Sequence, residues 1–119
     1  MLLVASTIAS SRLPGREMAN EVNGKKTRGH VSINDTDYHV SITINEEWLA
    51  IMSFLPSFAV ILRMEHLKLR KVRAFIGTQI EVTSSEPGVE PAFNRMVISH
   101  TLARKLEKLS NGNFRRQFV

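Results

Sequence analysis

Residues 45–73 read NEEWLAIMSFLPSFAVILRMEHLKLRKVR, and whether that run is helix or strand decides the fold. Asn45 followed by Glu46 and Glu47 predicts a helix start, because the Asn side chain can accept from an orphan amide and the carboxylates favour the positive end of a helix dipole. Trp48, Ile51, Met52 and Leu55 then recur at i, i+3, i+4 and i+7 on one face. Pro56 must end or kink that helix, since it lacks an amide proton and clashes with the preceding turn. Ser57 can cap a second helix running to about Val72, with Phe58, Ile61, Leu62, Leu69 and Val72 as its apolar face. A strand would need strict alternation, and Leu67 and Leu69 are out of phase with Val72, so helix is expected at least to Lys71. On such a helix Arg63, His66, Arg70 and Arg73 line one flank, and Lys68 and Lys71 lie across the apolar stripe.

Upstream, Val31 and Ile33 alternate with polar neighbours, and after the turn Asn34-Asp35-Thr36-Asp37 the residues Tyr38, Val40, Ile42 and Ile44 alternate again. This predicts a β-hairpin whose wet face carries Ser32, His39, Ser41 and Thr43. Downstream, Ile76, Thr78, Ile80 and Val82 predict a strand over about 74–83, followed by the polar turn EPGVEP at 86–91. Residues 93–99 fit either strand or helix. Ile98, Leu102, Leu106 and Leu109 then share a helical face, and Asn111-Gly112 supplies a left-handed stop.

The run Trp48 to Leu62 is fifteen residues long and is interrupted by Ser53, Pro56 and Ser57, whereas a spanning helix needs roughly twenty apolar residues. No transmembrane segment is expected. Buried core is the reading of this run, with an interfacial or partner-binding surface as the alternative. The predicted core gathers Trp48, Ile51, Leu55, Phe58, Ile61 and Leu62.

The chain has 119 residues, 43% of them apolar, which suits one globular domain. The expected division is an N-terminal extension over 1–24, flexible or targeting, a single domain over 25–112, and a basic, aromatic tail over 113–119. Residues 1–17 have no acid before Glu17 and two arginines around a Pro-Gly pair, a pattern shared with organelle-targeting segments; a start at Met18 is the other reading. The absence of cysteine excludes disulfides, thiolate metal sites and cysteine nucleophiles, and places the expectation inside the cell.

Chemistry-bearing motifs are missing. Neither a phosphate-binding glycine loop, nor G-x-S-x-G, nor H-E-x-x-H occurs. Ser99-His100 is a neighbour pair in sequence only. His30, His39, His66 and His100 never fall at i, i+3 or i, i+4; His30 and His39 could meet across the hairpin near Asp35 and Asp37, but solvated hairpin histidines are the expectation. No catalytic group, metal or cofactor is expected, and the protein reads as non-enzymatic.

Charge carries the signal. Lys and Arg outnumber Asp and Glu by 16 to 11, for a net charge of +5. The charges segregate: 1–34 carry +3, 35–47 carry −4, 62–73 carry +4, 81–90 carry −3 and 95–119 carry +5. Glu65 is the only acid inside the central basic stretch, and basic charge so segregated favours polyanionic partners. The expected function is largely sequence-independent binding of RNA or another polyanion. The expected contacts are Lys25, Lys26, Arg28, Arg63, Lys68, Arg70, Lys71, Arg73, Arg104, Lys105, Lys108, Arg115 and Arg116. Phe114 and Phe118 around Arg115-Arg116 could stack on bases or pack back onto the domain.

From Gly24 to Gly88 the order GKKTR, alternating hairpin, apolar run, VRAFIG and SSEPG loosely resembles the matrix proteins of rhabdoviruses. The likeness spans about half the chain, uses no specific motif and lacks the proline-rich late-domain signal, so no residue role comes with it. It implies the alternative function: a self-associating structural or scaffold protein of viral-matrix type covering a membrane or nucleoprotein surface. Homo-oligomers and peripheral membrane contact belong to that reading. The expected fold is α+β: a small, largely antiparallel sheet, made of the hairpin and a later strand, packed against two or three helices.

Overall fold

The computed structural model describes residues 23–88, 93 and 95–119. The expectations about targeting by residues 1–17 lie outside the described residues. The predicted hairpin is present as β1 (Lys25–Ile33) and β2 (Thr36–Ile44). Asn34 and Asp35 turn the chain between them with φ of 52° and 65°, a left-handed conformation that these two residue types tolerate through local hydrogen bonding.

Beyond the hairpin the architecture differs from the expectation. The run that reads as two helices forms β3 (Trp48–Phe54) and β4 (Ser57–Arg63), a short 3-10 turn η1 (Met64–His66), and β5 (Leu67–Arg73). Next come β6 (Thr78–Ser84), β7 (Arg95–Ser99), the helix α1 (His100–Leu109) and a second 3-10 turn η2 (Arg115–Gln117). Seven strands make one antiparallel sheet in the order β4-β3-β2-β1-β7-β6-β5, curled into a half-barrel. The expected small sheet against two or three helices is therefore corrected: the described residues hold a large sheet and a single α-helix.

Three local causes explain the difference. Asn45 does cap, since its Oδ1 accepts from the amides of Glu47 and Trp48, both at 2.7 Å. The cap closes a tight turn into β3 rather than a helix, because Asx side chains stabilise isolated turns as readily as helix starts. Pro56 sits with Leu55 at the β3–β4 turn, where Phe54 pairs with Ser57. Most decisively, Phe58 to Leu62 are all buried, so β4 is covered on both faces and shows no alternation. A continuous apolar run satisfies the helical spacing by accident.

Register sorts the side chains onto two faces. The inner face carries Val31, Val40, Ile42, Ile44, Leu49, Ile51, Phe58, Val60, Leu62, Leu67, Leu69, Ile80, Val82, Met96 and Ile98, all buried. The helix α1 closes the concavity with Leu102, Ala103 and Leu106, and Phe114 beyond it is fully buried. Its C-terminal stop matches the expectation, Asn111 and Gly112 ending it with φ of 57° and 86°, whereas Ile98, expected on its apolar face, lies in β7 and Ser99 caps the start by accepting from the Leu102 amide at 3.0 Å. Gly29 lets the helix approach, because a Cβ there would lie 2.8 Å from both Leu102 methyl carbons. The join between β1 and β7 has only two register pairs, Val31 with Ile98 and Ser32 with Val97.

One expected core residue is placed elsewhere: Leu55 is 93% exposed at the β3–β4 turn, while Trp48 is half-buried and packs against the edge of the core. On the expected wet face Ser32, His39 and Ser41 are at least partly exposed, but Thr43 is buried.

Truncating Phe114 to Ala should cost about 3–5 kcal/mol, whereas Leu55→Ala should stay within about 0.5 kcal/mol of the parent. Urea denaturation midpoints for the two variants check this ordering, and equal midpoints would contradict the core assignment.

Candidate functional site

The strand period redistributes the five cations, Arg63, Lys68, Arg70, Lys71 and Arg73, that a second helix would have gathered. Along β5, Lys68 and Arg70 project to the outer face, while Lys71 and Arg73 continue the inner register of Leu67 and Leu69 beyond the core. On β1, Lys26 and Arg28 face outward and Lys25 shares the inner register of Ile44. Arg63 ends β4 with its guanidinium 5.1 Å from the centroid of the Trp48 ring and 3.3 Å from Glu65. Arg104, Lys105 and Lys108 lie on α1 and Arg115 and Arg116 on η2, all five exposed.

One group converges. An open groove of about 730 Å³ is lined by Arg70, Lys71, Ile80, His100, Ala103, Arg104, Glu107, Arg115, Phe118 and Val119. Three of the predicted cations, Lys71, Arg104 and Arg115, thus meet from a strand, a helix and a 3-10 turn, while Arg70 adds to the lining with its guanidinium turned to Glu81 on the outer face. Glu107 is the acidic side chain in its lining and lies 3.9 Å from Arg115. Residues 118 and 119 form part of the wall: Phe118 bridges to Leu69, and the Val119 amide donates to the Leu69 carbonyl at 3.1 Å.

A second groove, of about 550 Å³, brings Lys26, Arg28, His39, Ser41, Met52 and Phe54 together across β1–β3. Lys25, Arg63, Lys68, Arg73, Lys105, Lys108 and Arg116 line neither groove.

Arg70 is partly committed elsewhere. Glu81 of β6 is 6% exposed and accepts from Arg70 Nη2 at 2.8 Å and from Arg95 Nε on the next strand. The Arg95 hydrogen bond first, then that of Arg70, holds the Glu81 carboxyl below the usual carboxylate value, against the opposing effect of burial. Arg95 is not among the contacts expected from sequence, and only strand register could find it: Glu81 pairs with Arg70 on one side and Val97 on the other, two residues along β7 from Arg95.

His30 and His39 do pair across the hairpin, with ring nitrogens 3.4 Å apart. Among the described residues no group of three or more His, Asp or Glu could hold a metal ion. Ser99 serves as the helix cap, which occupies its hydroxyl. Among the described residues no helix is long and apolar enough to cross a membrane.

Neither a family model nor a curated protein matches the chain. The surface itself is then the guide to function.

Glu81 also fixes a pH dependence. Its folded-state pKa lies below the ordinary value of 4.5, so its contribution is complete above about pH 4.5 and is lost as pH falls through the folded pKa. Glu81→Gln should therefore flatten the acid limb of a stability-versus-pH curve. Superimposable acid limbs in parent and variant, followed by thermal melts from about pH 6 to about pH 3, would exclude this role.

Proposed function

We propose that the protein is a non-enzymatic binder of RNA or another polyanion, largely indifferent to sequence. The observation that carries this reading is the convergence of Lys71, Arg104 and Arg115 on one open groove that has a single acidic side chain in its lining. Ammonium and guanidinium groups on an open surface release counterions from a phosphate chain whatever its bases, which provides affinity without base choice. Arg104 and Arg115 offer planar forks suited to phosphate oxygens, while Lys71 acts as a point charge. The remaining cations of β1, α1 and η2 add a long-range positive field that speeds encounter.

Heparin and a labelled single-stranded RNA both test this reading. Log affinity should fall linearly with log salt, and Lys71→Ala with Arg104→Ala should reduce the slope for the RNA by about 1.4, at roughly 0.7 for each phosphate left without its cation. An unchanged slope would remove the groove from the interface.

A second reading has its own observation. Phe75 and Ile76, at the β5–β6 turn, are 103% and 84% exposed, although the turn itself needs only the positive φ of Gly77. Adjacent exposed apolar side chains beside Arg73 suit a self-associating structural protein that covers a membrane or nucleoprotein surface. On this reading the protein assembles with concentration or sediments with anionic vesicles, and Phe75→Ser with Ile76→Ser abolishes either behaviour. A strict monomer that ignores such vesicles would dismiss it.

A further inference from the structure

The second groove differs from the first in chemistry. On the outer face, register sets His30 opposite His39. Ser41 pairs with Met52, and Phe54 lies two residues beyond Met52 on the same side of β3, as His39 lies two residues from Ser41 on β2. Three flat or aromatic side chains, His30, His39 and Phe54, therefore occupy one row across three adjacent strands. The His30 and His39 rings meet edge to face at a centroid distance of 4.8 Å. Phe54 is 69% exposed. Arg28 lies opposite Ser41 in the next row and Lys26 opposite Thr43 in the row after that, so cations run beside the ring row.

Burial of the core does not require this arrangement. Phe54 is among the most exposed large apolar residues described, while Leu49 and Ile51 of β3 are buried on the other face and Ala50, on the same face as Phe54, is buried two rows away. An exposed ring row beside a cationic row suits a ligand that carries both flat apolar groups and regularly spaced negative charge. A duplex hides its base faces inside the stack, a sulfated sugar has no such faces, and an acidic polypeptide has them only where aromatic side chains interrupt its charges. A single nucleic-acid strand has both.

We infer that the outer face of β1–β3 binds single-stranded nucleic acid, with bases stacked on Phe54 and His39 and the backbone along Arg28 and Lys26. This deepens the polyanion reading and rests on it: the basic groove beside α1 attracts any polyanion, and the ring row selects unpaired strands among them. The selection is for strandedness rather than for sequence, since every base presents a π face. Met52 broadens the platform as a polarizable contact on which differing bases can settle.

Three probes of differing chemistry separate the two claims: a twelve-nucleotide oligouridylate, an RNA duplex of the same length, and heparin, each followed by fluorescence anisotropy or by competition. The protein should bind the single strand more tightly than the duplex. Phe54→Ala should weaken the single strand by roughly 5- to 100-fold, the range expected for removal of one base-stacking ring, while heparin affinity stays within about twofold. Phe54→Trp should restore binding, because it keeps a ring, and Phe54→Leu should not. A duplex preference, an equal loss for heparin, or full rescue by Leu would overturn the stacking platform and leave the polyanion reading standing. Failure to bind any of the three probes would overturn both.

Discussion

The two edge strands of the sheet are joined by three residues. β4 and β5 lie at opposite ends of the order β4-β3-β2-β1-β7-β6-β5, yet only η1 separates them in the chain. Seven strands laid flat would place those edges about 29 Å apart at roughly 4.8 Å per step, while the link from Arg63 to Leu67 can reach at most about 14 Å. The sheet has to curl. Its natural twist, about 20–25° at each of six steps, turns β5 far enough round for a short link to serve. The corner is tied from both sides: the Met64 amide donates to the Glu47 carbonyl at 2.8 Å, the Arg63 amide to Glu86 at 2.7 Å, and the Ser85 amide to the His66 carbonyl at 3.0 Å. Curling creates the concavity that α1 fills, and with it the groove between α1 and β5.

Much of this is legible in the sequence where one period excludes the other. The β1–β2 hairpin alternates cleanly because its outer face is largely wet, and α1 shows a single apolar stripe between Ser99 and Gly112. The central run is not legible, since Ala59 and Ile61 are buried on the outer face of β4 just as Phe58, Val60 and Leu62 are on its inner face. With both faces covered, polarity carries no phase information, and a capping Asn plus a proline then favour helices. Cation identity is equally plain in the sequence while cation placement is not. A helix groups Arg70 with Arg73 and Arg63, but a strand sends Arg70 and Arg73 to opposite faces.

Electrostatically the outer face of β5–β7 is organised around the one charged side chain that is buried among the described residues, Glu81. Arg70 and Arg95 screen its carboxylate from either side while remaining about two-thirds exposed themselves. The acid removes much of their free charge, leaving a net of +1 for the triad. Among the described residues, Lys71 and Arg104 at the groove beside α1, and Lys26 and Arg28 at the groove on β1–β3, have no such acid against them.

Five of the six neighbour pairings in the sheet join consecutive strands; only β1 with β7 does not. In folding terms β1–β4 and β5–β7 are two meanders that can each form from local contacts, and their closure entropy is modest. Bringing Ser32 to Val97 closes a far longer loop for only two ladder pairs. The return on that closure comes chiefly from Leu102 seating over Gly29 and from Leu106 and Phe114 sealing the concavity. The molecule is two locally specified halves welded by one helix, and its cooperativity as a single unit resides in that weld.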